Sequence, residues 1–296
     1  MASGKQRKAK EVVAELSRPG PYTVLRGDLA LVGLPGAVFT PSEGAGLPAV
    51  AFAHDWMQPA HRYFGLLRHL ASWGIVAAAP DTQRSPIASH RGLAHDLRTA
   101  LGVCSGVRLG GSTRAAAVSV DPHKLGVAGH GMGASSAVLA AAVPAANTQV
   151  QEVGEPYWEA GGDLDIAAVA TVALAESHPS AQDAARAVHV PGLHLAFGKD
   201  LTAPPAAGAE PVASAWAGPS SLRTLKKATH GGVLEGRHWT DLLTDGKLQT
   251  PTRDTVRALL TGFLLHRLGG DESYASVFDG PVKGSEVRVL RAESTV

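Results

Sequence analysis

The feature that most constrains the fold of this chain is a recurring pair, a short apolar run followed by a segment with helical spacing. Pro48-Ala-Val-Ala-Phe-Ala53, Ile75-Val-Ala-Ala-Ala79, Leu125 to Gly129, Ile166 to Ala175 and Pro191 to Phe197 are the mainly apolar runs. Runs of this length suit strands covered on both faces. Between them, Tyr63, Leu66, Leu67 and Leu70 keep helical spacing up to Gly74. Residues 88–104 carry Leu93, Leu97, Ala100, Leu101 and Cys104 on one stripe, an alanine-rich helix follows the run ending at Gly129, and 179–187 reads as a further short helix. The alternation predicts an α/β fold, a mostly parallel central sheet with helices on both faces. Residues 22–40 alternate apolar and polar positions, which predicts an antiparallel N-terminal edge. A last strand is expected around Ser221 to Lys226. The final helix is expected to start with Thr250 as cap and Pro251 at its first position. It carries Val256, Leu259, Leu260, Phe263, Leu264 and Leu268 on one face.

No internal repeat or linker divides the chain, so 20–280 is expected to be a single domain, with 1–19 a flexible N-terminal segment and 281–296 a C-terminal tail. Residues 144–165 show no sustained period and are expected to form a long connection that could cover a cleft. The formal net charge of +1 gives no reason to expect nucleic acid or an acidic membrane as partner. Only Lys5, Arg7, Lys8 and Lys10 make a basic run, which reads as a solvated terminus. No apolar core follows it and no stretch reaches the ~20 apolar residues of a membrane span. A cytoplasmic protein with neither secretory signal nor membrane span is expected. The single cysteine, Cys104, cannot form an internal disulfide and reads as a packing residue.

In open sheets of this kind, ligands sit beyond the carboxyl ends of the strands. There the sequence places His54-Asp55-Trp56-Met57, His130-Gly131-Met132, the stretch from Gly198 through Asp200 to Pro204, and Thr229-His230-Gly231. The stretch Gly129-His130-Gly131-Met132-Gly133 has the spacing of a nucleophile elbow, a strained strand-to-helix turn that exposes a serine. Its central position here is Gly131, without a side chain. Elbow, acid and histidine then follow in the chain order of an α/β-hydrolase triad. Ser135 and Ser136, one turn into the next helix, are expected to bond backbone rather than act as nucleophiles. His90 and His95 lack same-face ligand spacing, so no metal and no cofactor is expected.

With these motifs in place, the chain resembles the α/β-hydrolases of the dienelactone hydrolase group, and among them the cutinase-like polyesterases that include polyethylene terephthalate hydrolases. The likeness runs through Gly20-Pro-Tyr-Thr-Val, Arg68-His-Leu-Ala-Ser-Trp-Gly-Ile-Val, Asp121-Pro-His-Lys-Leu-Gly-Val-Ala-Gly-His and Asp271-Glu-Ser-Tyr-Ala-Ser-Val-Phe278. It implies that Asp200 is the triad acid, His230 the triad base, Gly131 the vacant nucleophile position, and Trp56 and Met132 the oxyanion-hole donors. His130 would then be a structural neighbour of the elbow. Glu176 falls where the polyesterases place a tryptophan that stacks on the acyl group, which speaks against an aromatic polyester. In these enzymes the loop holding His54 and Asp55 carries mostly small residues and an aromatic. The charged pair is read either as binding a polar ligand or positioning a water, or as a solvated loop.

Loss of a triad serine costs on the order of 10⁶ in turnover. The expectation is therefore a hydrolase-like pseudoenzyme, catalytically silent or a binding or regulatory module, with a small ester-like or acyl ligand or a protein as partner. The alternative is a weak ester or lactone hydrolase in which His230 and Asp200 activate water.

Overall fold

A computed structural model describes residues 7–106, 118–142, 164–242 and 247–290. Among them are nine strands: β1 (Val24–Asp28), β2 (Gly36–Pro41), β3 (Leu47–Ala53), β4 (Val76–Pro80), β5 (Val120–His130), β6 (Ile166–Val172), β7 (Gly192–Phe197), β8 (Ser220–Leu225) and β9 (Ser285–Leu290). They pair into one sheet in the order β1-β2-β4-β3-β5-β6-β7-β8-β9. From β4 to β8 every pairing is parallel, while β1, β2 and β9 are antiparallel edges. The helices are α1 (Ala9–Leu16), α2 (Phe64–Ser72), α3 (His90–Gly106), α4 (Met132–Ala142), α5 (Ala181–Ala185), α6 (Ala209–Ala215), α7 (Thr250–Arg267) and α8 (Ser276–Asp279).

Successive strand residues point to opposite faces, and both faces are buried. On one, Phe39, Phe52, Leu195 and Phe197 pack with Leu67 of α2 and Leu259 and Phe263 of α7. On the other, Ala49, Ala51 and Val127 pack with Leu97, Leu101 and Cys104 of α3 and with Ala134 and Val138 of α4. Small strand residues on this second face let α4 settle low on the sheet. Gly133 is essential to that approach, because a Cβ there would strike the carbonyls of Ala53 and His54.

Several expectations shift. Residues 9–16, expected within a flexible segment, form α1: Val12 and Leu16 lie one turn apart, fully buried against the α7 layer. The expected tail contains β9, which pairs with β8 from Ser220↔Leu290 to Leu225↔Ser285. Leu29–Val32 is a 3-10 turn rather than a strand, because the Asp28 side chain accepts the Ala30 N–H and caps it. The last helix is preceded by Gln249 as cap residue, one position before the expected Thr250. The connection expected over 144–165 lies, apart from its last two residues, outside the described residues. No described helix is long and apolar enough to cross a membrane.

If α1 is part of the core, Leu16→Ala should lower the unfolding free energy by about 2–5 kcal/mol. Urea denaturation followed by circular dichroism measures this directly, and an unchanged midpoint would mean that α1 does not contribute to stability.

Candidate active site

Parallel strands end at one edge of the sheet, and four of them deliver the site. The loop after β3 carries His54, Asp55 and Trp56, β5 ends at His130, the stretch after β7 carries Asp200, and that after β8 carries His230. At the end of β5 the chain turns sharply into α4 through Gly131, whose φ of +54° lies in the left-handed region. The Gly131 N–H donates to the Val172 carbonyl at 3.0 Å, and its own carbonyl accepts from Ala175 N–H at 3.2 Å.

At the centre stands His230, held from both sides by carboxylates. Nδ1 donates to Asp200 Oδ2 at 2.8 Å and Nε2 donates to Asp55 Oδ2 at 2.9 Å. Oδ1 of Asp200 accepts the N–H groups of Thr202 at 2.9 Å and Ala203 at 2.7 Å. Oδ1 of Asp55 accepts the Met132 N–H at 2.9 Å. Burial alone would push the His230 pKa down, but the Asp55 charge and the hydrogen bonds that His230 donates to both carboxylates raise it to about 10. Burial opposes ionisation of Asp55 as well, yet the His230 charge and hydrogen bond, with His130 and the Met132 N–H, hold it below the usual carboxylate range. At neutral pH the pair is therefore an aspartate facing an imidazolium.

A second chain of hydrogen bonds closes the ring. The Asp55 N–H donates to Tyr63 Oη at 3.1 Å, Tyr63 Oη lies 2.9 Å from His130 Nδ1, and His130 Nε2 lies 3.1 Å from the His230 carbonyl. The carbonyl can only accept, so His130 carries its proton on Nε2, and Nδ1 accepts the Tyr63 hydroxyl proton. Burial and the His230 charge push the His130 pKa down to about 4, consistent with a neutral ring.

The loop bearing His54 and Asp55 is not solvated. Both residues are buried, and the ring nitrogens of His54 lie 2.8 Å from the Asp55 carbonyl and 2.7 Å from the Thr82 carbonyl. Gly131 is likewise more than a vacancy, since a Cβ built on it would collide with Oδ1 and Cγ of Asp55. The Asp55 carboxylate fills the space of the missing side chain and takes the Met132 N–H expected to serve an oxyanion. Trp56, the other expected donor, is 40% exposed, with its indole N–H donating to the Pro86 carbonyl at 3.2 Å. Glu176 is exposed in the loop after β6. Ser136 donates to the Met132 carbonyl at 3.1 Å, whereas Ser135 donates across to the Ala175 carbonyl.

Two contributors escape a sequence pattern. Tyr63 keeps core spacing but spends its hydroxyl on the ring. Arg62, 1% exposed, ties the loop after β3 to the loops around His230. It donates to Gln58 Oε1 at 2.8 Å, Asp241 Oδ1 at 2.6 Å, and the carbonyls of Glu235 and Gly236 at 3.1 Å and 3.0 Å. The one available signal was a carboxylate next to a residue expected in the oxyanion hole, coinciding with a side chain missing at 131.

Although the sequence shows no metal-ligand spacing, Asp55, His130 and His230 each offer a ligand atom within 4.8 Å of the others. A cation there would have to displace the hydrogen bonds that occupy both nitrogens of each histidine. The donor set fits the ring better than a coordination sphere. In comparisons with protein-family models and with curated protein sequences, nothing matches the chain.

The raised His230 pKa fixes a pH window. A proton held more tightly in the folded state contributes stability fully below the unfolded value of 6.5, and that contribution is lost as pH rises through about 10. The unfolding free energy of the parent should fall between pH 6.5 and 10 by up to about 1.4 kcal/mol per pH unit. Asp55→Asn should flatten that slope, as urea titrations at pH 6, 8 and 10 would show. Equal slopes in the two proteins would remove the ion pair from the account.

Proposed function

We propose that this chain is an α/β-hydrolase-type protein, akin to the dienelactone hydrolase and cutinase-like carboxylic-ester hydrolases, that is silent in acyl transfer. The turn at Gly131, the Met132 N–H, Asp200 and His230 support the kinship, standing in the elbow, acid, base order. One observation carries the silence: the Asp55 carboxylate lies where a nucleophilic side chain at 131 would project. The same carboxylate occupies the N–H that would stabilise a tetrahedral intermediate, a contribution of about 3 kcal/mol in working enzymes.

The water-activating alternative fares worse. A general base must be unprotonated at the operating pH, and His230, with its pKa near 10, already bonds a carboxylate through each nitrogen. In this reading the cleft retains an acyl-hydrolase frame around a permanent internal anion. A small ester-like ligand or a protein partner then meets a binding surface rather than an acylating one.

The parent should neither react with a fluorophosphonate probe nor release a burst of p-nitrophenol from short esters. Gly131→Ser alone should stay inactive, because its side chain and Asp55 compete for one space. Gly131→Ser combined with Asp55→Gly clears that space. It should exceed each single variant by at least about 100-fold on p-nitrophenyl acetate, a small share of the ~10⁶ contributed by an intact triad. Labelling of the parent, or single and double variants of equal activity, would overturn the reading.

A further inference from the structure

We propose that the cavity between α1, α8 and the link from α8 to β9 binds a phosphomonoester group. It is separate from the cleft around His230, to which none of these elements contributes a residue. The cavity holds about 640 Å³, within the range of small-molecule sites. Lys8, Ala9, Lys10, Ser276, Asp279 and Lys283 are among the residues that border it.

The charge around it is one-sided. Lys8 and Lys10 read in the sequence as part of a solvated basic run, yet the fold sets them beside Lys283 from the other end of the chain. All three are exposed, and none makes an ion pair among the described residues. Arg7, which also borders the cavity, is held by Glu15. The one bordering carboxylate, Asp279, is engaged electrostatically with Arg223 and Arg267. Three uncompensated ammonium groups around one cavity make a positive potential that attracts an anion.

The start of α1 adds to it. The first N–H groups of a helix have no acceptor within the helix and favour anions. Lys8, the cap residue, supplies no side-chain acceptor, and its carbonyl takes the N–H groups of Glu11 and Val12. Ala9 and Lys10, whose N–H groups come before those bonds, both border the cavity.

An independent observation comes from α8. Ser276 is 6% exposed, and its hydroxyl is buried without a hydrogen-bond partner. Buried hydroxyls are nearly always partnered, so an orphaned one on a cavity wall marks a place for an acceptor brought by a ligand. Ser276 also lies against the start of α1, because a Cβ built on Gly280 would meet both the Ser276 carbonyl and the Ala9 side chain. Cations, free N–H groups and an unpaired hydroxyl therefore converge.

This donor set selects the anion. A carboxylate brings one charge and two oxygens, whereas a phosphomonoester brings nearly two charges and three acceptor oxygens near neutral pH. Three ammonium groups, two N–H groups and a hydroxyl suit the second. The cavity exceeds the size of a phosphate group alone and leaves room for the organic body that carries it.

Glycerol 3-phosphate titrated calorimetrically into the full chain at constant ionic strength should bind saturably, with Kd below about 1 mM. Lys8→Glu combined with Lys283→Glu should weaken binding at least about 100-fold, and Ser276→Ala about 10-fold. Circular dichroism and a cooperative thermal transition check that these variants fold. Arg91→Glu reverses an exposed charge on α3, against the opposite face of the sheet, and should bind as the parent does. Sedimentation with phosphatidate vesicles, beside phosphatidylcholine vesicles, separates the two sources of the group. Binding of glycerol 3-phosphate identifies a free small molecule, binding of phosphatidate vesicles alone a lipid headgroup, and either supports the proposal. It is overturned if neither binds, if the lysine or serine variants bind as the parent does, or if Arg91→Glu loses as much as they do.

Discussion

The ion pair between Asp55 and His230 is the contact on which the rest of the site depends. Removing a carboxylate and an imidazolium from water costs several kcal/mol per ion, and mutual attraction offsets that only when every remaining polar atom is satisfied. Here they are satisfied with unusual completeness. The second carboxylate, Asp200, takes the other imidazole nitrogen and two backbone N–H groups, while the second oxygen of Asp55 takes a third. Deleting one partner would strand the other in the interior, a loss of about 3–5 kcal/mol in comparable cases.

Such a pair needs a frame that fixes both ends. Parallel strands supply it by ending together, but strands alone do not decide where a loop carboxylate points. Tyr63 does so from the turn before α2, gripping the Asp55 backbone while holding His130, which in turn bonds the His230 carbonyl. Arg62 ties the same turn to the loops on the far side of His230. Asp55 and His230 are thus joined twice, through their side chains and through this relay.

Legibility followed the range of the forces involved. The central strands could be read because double burial demands an apolar run, and α7 because its buried face repeats every three to four residues. The edge strand β9 was missed because Ser285-Glu-Val-Arg-Val-Leu290 is half solvated, and α1 because its contact face is only Ala9, Val12 and Leu16. At the site, Asp200, Gly131 and His230 stood out through motif order along the chain. The position of Asp55 did not, since its decisive partner lies 175 residues away. A loop residue with such a partner leaves no periodic trace, and the same holds for Arg62, a charge carried into the interior by acceptors far along the chain.

Gly131 and Asp55 depend on one another. A side chain at 131 and a carboxylate at 55 exclude one another sterically, so the glycine is the condition for the aspartate. Backbone donors at a turn of this kind are fixed before any ligand arrives, and they stabilise whichever anion is placed before them. When that anion forms only transiently, the stabilisation accelerates a reaction. When it is a resident carboxylate, the same N–H lowers the energy of the ground state and accelerates nothing at an acyl carbon.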